Sequence, residues 1–159
     1  MMREDGGTAA VTTLVMLPLL LIVLVGVLEI GALRAVANRV TAAADLATIV
    51  AVGDQDQAEL VRTGTLRLAS DAADTARDYF ARNLSASAPV LAATPDAIAA
   101  LSDIAAFPTA PSVDPRTGAR YDRPTLRLIA AVPVRTPGLA ALLLPAVTTL
   151  TIRSASSPR

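Results

Sequence analysis

The stretch GGTAAVTTLVMLPLLLIVLVGVLEIG, running from Gly6 to Gly31, decides how the rest of the chain is read. From Thr8 to Leu28 it carries no charged side chain. That is roughly 21 residues, or about 32 Å of helix, close to the hydrocarbon thickness of a bilayer. Its many Leu, Val and Ile side chains each favour insertion, and the Thr residues and Gly26 offset only part of that. Pro18 removes one helical hydrogen bond and predicts a kink, which a membrane helix tolerates. A cleaved leader is the competing reading. Such leaders have apolar cores of about 7–15 residues with a small-residue site close behind. Here the core is longer, and the nearest small-residue site, Ala35-Val36-Ala37, lies beyond Glu29 and Arg34. Orientation is poorly set by charge, since Arg3 lies on one side and Arg34 and Arg39 on the other. Glu29 sits at the far end of the run and reads as an interfacial carboxylate; the competing role is a functional carboxylate within the lipid.

Beyond the apolar run the helical pattern continues. Leu33, Val36, Val40, Ala43, Ala47 and Val50 follow 3-4-3-4-3 spacing, which puts them on one narrow seam. Ala43, Ala47 and Ala51 add small-xxx-small spacing that permits close approach. The seam has two readings, helix–helix assembly or packing on the protein's own small domain. Gly53-Asp54 ends the helix. From Thr8 to Val52 it would be about 67 Å long, more than a bilayer requires.

Residues 55–84 read as a second amphipathic helix with Leu60, Val61, Leu68, Ala72, Ala76, Tyr79 and Phe80 on its apolar stripe. Thr94-Pro95-Asp96 is a helix start, and the short helix that follows is expected to end near Phe107. Asp114-Pro115-Arg116-Thr117-Gly118 reads as a turn. Leu126, Leu128, Ala130 and Val132 alternate with their neighbours as in a strand, and Val147–Ala155 reads as a second. The two are expected to pair antiparallel, with a third strand near Arg120–Asp122. Between them lies TPGLAALLLPA, too short to span a membrane.

The composition excludes much chemistry. The 159 residues carry 14 basic and 14 acidic side chains, every basic one an Arg, and no Cys or His. Thiol nucleophiles, His-based triads, disulfides and most zinc sites are therefore absent. The chain has no basic patch with interleaved aromatics, so nucleic acid is not an expected partner. Nor does it have a Gly-rich phosphate loop or a metal-ligand cluster, so no cofactor, no small-molecule substrate and no enzymatic activity are expected. The expected partners are membrane lipid and other subunits.

The order of several short motifs carries a resemblance. These are Gly7, Leu17-Pro18, Gly26-Val27-Leu28-Glu29-Ile30-Gly31, Asn38-Arg39 and Ala43-Ala44-Asp45-Leu46-Ala47, followed near the other end by a strand, a Pro-containing apolar loop and a Thr/Ser-rich strand with Arg153. The chain resembles the TadE/TadG-like minor pilins, or pseudopilins, of tight-adherence (Flp-type) pilus systems. The match covers about the first 50 residues well and the last 35 loosely. The resemblance implies a bacterial inner-membrane protein with a cytoplasmic amino terminus and a domain outside the cytoplasm, assembling with other pilin subunits. Processed members of that family would be cut at the position of Gly7/Thr8, whereas the TadG-like branch, which lacks a Glu at the fifth position after the glycine, is not expected to be cut. One departure is that the fifth position after Gly7 is Thr12 and not Glu.

The expected architecture is therefore α+β: a long amino-terminal transmembrane helix continuing outside the membrane, a second amphipathic helix, and a small antiparallel sheet of two or three strands. Its expected segments are a cytoplasmic tail (1–7), a transmembrane helix (8–30), a helical stem (31–53) and a small α+β extracytoplasmic domain (54–159). The competing function is a membrane-anchored envelope binding or accessory module unrelated to pili.

Overall fold

The computed structural model describes residues 5–158, with side chains from Thr12 onward. It is α+β, with one long helix carrying a small antiparallel sheet on its second half. Helix α1 runs from Asp5 to Gly53 without interruption, through Pro18. At 1.5 Å per residue its 49 residues span about 73 Å. Its first half is apolar all round, and from Leu14 to Ile30 the large hydrophobic side chains are exposed, apart from the partly covered Val25. An 18-residue apolar window in this helix has none of its residues buried by the rest of the chain. The helix is long and apolar enough to cross a membrane.

The region expected to form one second helix contains two. Helix α2 is Gln57–Thr63, and α3 is Ala72–Leu84. Gly64 stops α2 in the left-handed conformation, φ +71°, and its N–H caps Leu60 O at 2.8 Å. A Cβ is disfavoured there, so a glycine is a natural stop. The predicted stripe is split accordingly: Val61 is 87% exposed, whereas Leu68, Ala72, Ala76 and Phe80 are buried. A short 3₁₀ segment, Ser85–Val90, follows α3.

Helix α4 (Pro95–Leu101) starts as expected, with Thr94 Oγ1 accepting from Ala97 N at 3.3 Å and Pro95 at the first position. It ends at Leu101, well short of Phe107. Asp103–Phe107 is instead strand β1. The expected third strand near Arg120–Asp122 is likewise corrected. Arg120–Tyr121 (β3) pairs only with Ser112–Val113 (β2), in a separate two-stranded ribbon. The main sheet has the order β1-β4-β5, with β4 Thr125–Arg135 in the centre and β5 Val147–Ser156 at one edge. Both pairings are antiparallel.

Pro133 sits inside β4 without breaking a ladder. β1 pairs with β4 only as far as Ile129, so the far end of β4 has no β1 neighbour. The Pro133 carbonyl accepts from Ala92 N at 2.9 Å on that side. The N–H that proline lacks would point the same way, into the vacated edge.

The core lies between this sheet, α3, α4 and the second half of α1. Val36, Val40, Ala43, Ala44 and Ala47 of α1 meet Phe80, Leu84, Leu91, Ile98, Leu128, Val132 and Ile152. Ala51 and Val52 close a second, smaller cluster with Leu68, Ala72, Ala76 and Leu126. The second half of α1 therefore belongs to the core of the small domain. Every buried α1 residue here is Ala or Val, apart from Thr48. Small side chains let a sheet approach a helix closely, at the expense of the area each residue buries.

Candidate functional site

The surface of α1 carries the strongest candidate, and three of its features are set by long-range contacts. The first is the seam read from the sequence. Val36, Val40, Ala43 and Ala47 are covered by the sheet and by α3, and Leu33 is half-buried against the same cluster. Val50 is the exception, 38% exposed on the other side. This assigns the seam to the chain's own domain, so it is not open to a neighbouring helix. The small-xxx-small set Ala43, Ala47 and Ala51 is buried in the same way.

What remains uncovered is a second stripe. Ala35, Arg39, Ala42, Leu46, Ile49 and Gly53 are exposed, and their spacing is 4-3-4-3-4. Leu46 is 54% and Ile49 58% exposed, large for apolar side chains on a stretch of helix whose opposite face is packed. Below it, Leu21, Leu24, Leu28 and Gly31 continue the exposed surface into the apolar run. The stripe has the geometry that joins one helix to another. Beside its upper end lies a hollow lined by Ile49, Val52, Gly53, Gln55, Ser156 and Ser157.

The second feature is a polar clamp missed from the sequence. Thr48 is fully buried in the α1–β5 contact. Its Oγ1 lies 2.9 Å from Asp45 O and 3.0 Å from Ser154 Oγ, either of which can take its single proton, and it can accept from Ser156 Oγ at 2.8 Å. Ser154 Oγ donates to Asp45 Oδ1 at 2.7 Å. A legible signal existed: Asp45 and Thr48 lie one turn apart, and Ser154 and Ser156 share one face of β5. The cluster holds β5 to the helix.

The third feature is Glu29. Its Oε2 accepts from the backbone N–H of Gly138 at 3.2 Å. Gly138 belongs to the short helix α5, Pro137–Ala141, inside the apolar connection between β4 and β5. A Cβ at Gly138 would stand 2.5 Å from Glu29 Oε2 and 3.3 Å from Val25 Cγ1, so a larger residue there displaces the end of the Glu29 side chain. Thus Glu29 ties the apolar loop to the end of the apolar run. For the candidate processing pair Gly7 and Thr8, the surroundings lie outside the residues whose side chains are described.

Away from α1, a charged knot fixes the β2–β3 ribbon to the sheet. Arg127, buried in β4, places Nε 3.0 Å from Asp114 Oδ2 and Nη1 2.8 Å from Asp103 Oδ2. Both contacts are at ion-pair distance, and neither nitrogen meets hydrogen-bond geometry. Arg116 joins Asp103 from the solvent side at 2.5 Å. The expected turn is present, with Gly118 N donating to Asp114 O at 2.8 Å and Gly118 at φ +73°. Asp114 accepts from Thr117 Oγ1 at 2.6 Å and from Arg116 N at 2.9 Å. The Thr117 hydroxyl foremost holds its carboxyl below the usual carboxylate value; burial opposes this, and the Arg116 N–H and the Arg127 charge reinforce it. The one arginine of this turn, Arg116, is thus paired with Asp103.

Among the described residues, no group of three or more His, Cys, Asp or Glu is arranged to hold a metal ion. No protein-family model matches the chain, and neither a curated protein nor a solved structure is detectably similar to it.

Proposed function

We propose that the chain is a structural subunit, anchored in a membrane by the first half of α1, that assembles with other helices through the uncovered stripe of its second half. In the sense of the sequence resemblance, it is a minor pilin-like subunit of a tight-adherence-type pilus or secretion system. In that reading its amino terminus is cytoplasmic, the apolar run sits in the bacterial inner membrane, and the α+β domain stands on the opposite side. Its partners are lipid and other pilin subunits, and it performs no catalysis.

One observation carries the proposal. A helix that served only as an anchor and a core element would need one apolar side above the membrane, the side facing its own domain. Here α1 has two, and Leu46 and Ile49 lie on the one its domain leaves bare. Burying them against a second helix removes apolar surface from water, about 1.5–3 kcal/mol for each side chain fully covered.

The test uses the absence of native cysteine. Full-length protein carrying Leu46→Cys or Ile49→Cys is oxidised in intact membranes. Crosslinks at these positions, together with none at Val61→Cys on exposed α2, are the expected result. Silence at both stem positions would favour an anchored accessory module that acts alone. Amino-terminal sequencing of the same material reports on processing, because Thr8 as first residue would mark cleavage after Gly7.

A further inference from the structure

The connection between β4 and β5 is an apolar lip standing beside the last turn of the apolar run. No charged residue occurs between Arg135 and Arg153. The lip is built, not slack. Thr136 is buried, with its N–H donating to Ala146 O at 2.9 Å and its hydroxyl to Pro145 O at 2.8 Å. Leu143 N donates to Ala140 O, and Leu144 N to Leu139 O, both at 3.0 Å. Leu139 and Leu142 are half-buried beneath this turn, while Leu143 is 97% exposed, Leu144 52% and Val147 46%. Leu143 is held at φ +60°, a conformation a branched apolar residue seldom adopts. That conformation closes the end of α5, where the Leu144 N–H reaches back to Leu139 O, and it turns the Leu143 side chain outward.

The position of the lip identifies the partner. Gly138 touches Glu29 through a hydrogen bond and approaches Val25. The lip is therefore level with the last turn of the exposed apolar surface that begins at Leu14. Arg135 at its base and Arg34 on α1 are both exposed, in the place where headgroups follow hydrocarbon. We propose that Leu143 and Leu144 insert into the lipid leaflet on the domain's side of the membrane. The domain then has two points of attachment to the bilayer, α1 and the lip, and the stem stands at a fixed tilt. This inference rests on the reading of α1 as a membrane anchor.

The experiment places a nitroxide at Leu143→Cys in the full-length protein, reconstituted in phosphatidylcholine–phosphatidylglycerol vesicles. Leu20→Cys in the apolar run and Val61→Cys on α2 serve as references. Accessibility to oxygen and to a water-soluble nickel chelate reports depth. The expected result is that position 143 matches Leu20, rich in oxygen and shielded from nickel, with a several-fold contrast to Val61. A nickel-exposed label at 143 beside a lipid-buried Leu20 overturns the inference and leaves the anchor reading intact. A Leu20 label in water overturns both. Shielding of 143 from both reagents that grows with protein density identifies a second copy as the cover and overturns lipid insertion. In a companion variant, L143D/L144D, a label at Val147→Cys is expected to gain nickel accessibility several-fold; no gain overturns the proposal.

Discussion

Ser154 Oγ on β5 donates a hydrogen bond of 2.7 Å to Asp45 Oδ1 on α1, joining residues 109 positions apart. With Thr48 and Ser156 it forms the polar contact that fixes the register of sheet on helix. Within an Ala-rich interface, apolar packing alone permits sliding, because one alanine resembles the next. Directional bonds at one place remove that freedom.

Thr48→Val tests the clamp. The side chain keeps its shape and loses its hydroxyl, so Ser154 keeps only Asp45 Oδ1 and Ser156 loses its side-chain partner. The expected cost is about 1–3 kcal/mol, read from urea unfolding of the full-length protein in detergent. Thr48→Ser retains the hydroxyl and is expected to recover most of the loss.

The two faces of α1 are separable by substitution. Ala47 is fully buried, so Ala47→Leu overpacks the core and is expected to cost about 1–3 kcal/mol. Leu46→Ala and Ile49→Ala touch exposed positions and are expected to leave stability within about 0.5 kcal/mol. The same two variants are expected to weaken crosslinking through the stem. Equal destabilisation by both classes of variant would refute the division.

Asp114 sets an acid limit on the charged ribbon. Its folded carboxyl ionises below its ordinary value. The unfolded chain therefore takes up this proton first as pH falls, and folding weakens. The stabilisation is complete above the unfolded carboxylate's pKa and is lost as pH falls through the lower, folded one. Asp114→Asn is expected to flatten the acid limb of the urea-midpoint profile. A variant profile that runs parallel to the parent's would exclude Asp114 as its source.

Gly138→Ala is expected to loosen the lip. The added methyl meets Glu29 Oε2 at 2.5 Å, so either the carboxylate or α5 must move. Loss of a hydrogen bond to a charged acceptor costs about 1.5–3 kcal/mol. Amide exchange between Gly138 and Ala146 is expected to quicken, while the β1–β4 ladder stays protected.

Several elements are legible without coordinates because the cause is local. The apolar run dictates a long helix by composition. Thr94-Pro95 starts α4 through a capping hydroxyl and a proline whose missing N–H is not needed there. The alternation in Leu126–Val132 declares a half-buried strand, which the structure extends to Thr125–Arg135. Where the cause is not local, reading along the chain misleads. Ile104-Ala105-Ala106-Phe107 continues a helical pattern as plausibly as it begins a strand, and pairing with Thr125–Leu128 decides in favour of the strand. Gly64 is a local stop for α2, but nothing local reveals that α2 turns Val61 to solvent.

For α1 the sequence by itself determined length, helicity and apolar character, because these follow from side-chain type and from hydrogen bonds four residues apart. It also carried two stripes of suitable spacing, Val36-Val40-Ala43-Ala47 and Ala35-Ala42-Leu46-Ile49, with no local means of ranking them. Only the tertiary structure decided which one is covered. The small side chains of the first admit a sheet at close range, Thr48 and Asp45 beside it find hydroxyls on β5, and the bulkier second stripe is left facing outward. The same holds for Glu29, whose partner Gly138 is brought to it by the fold across 109 residues of chain.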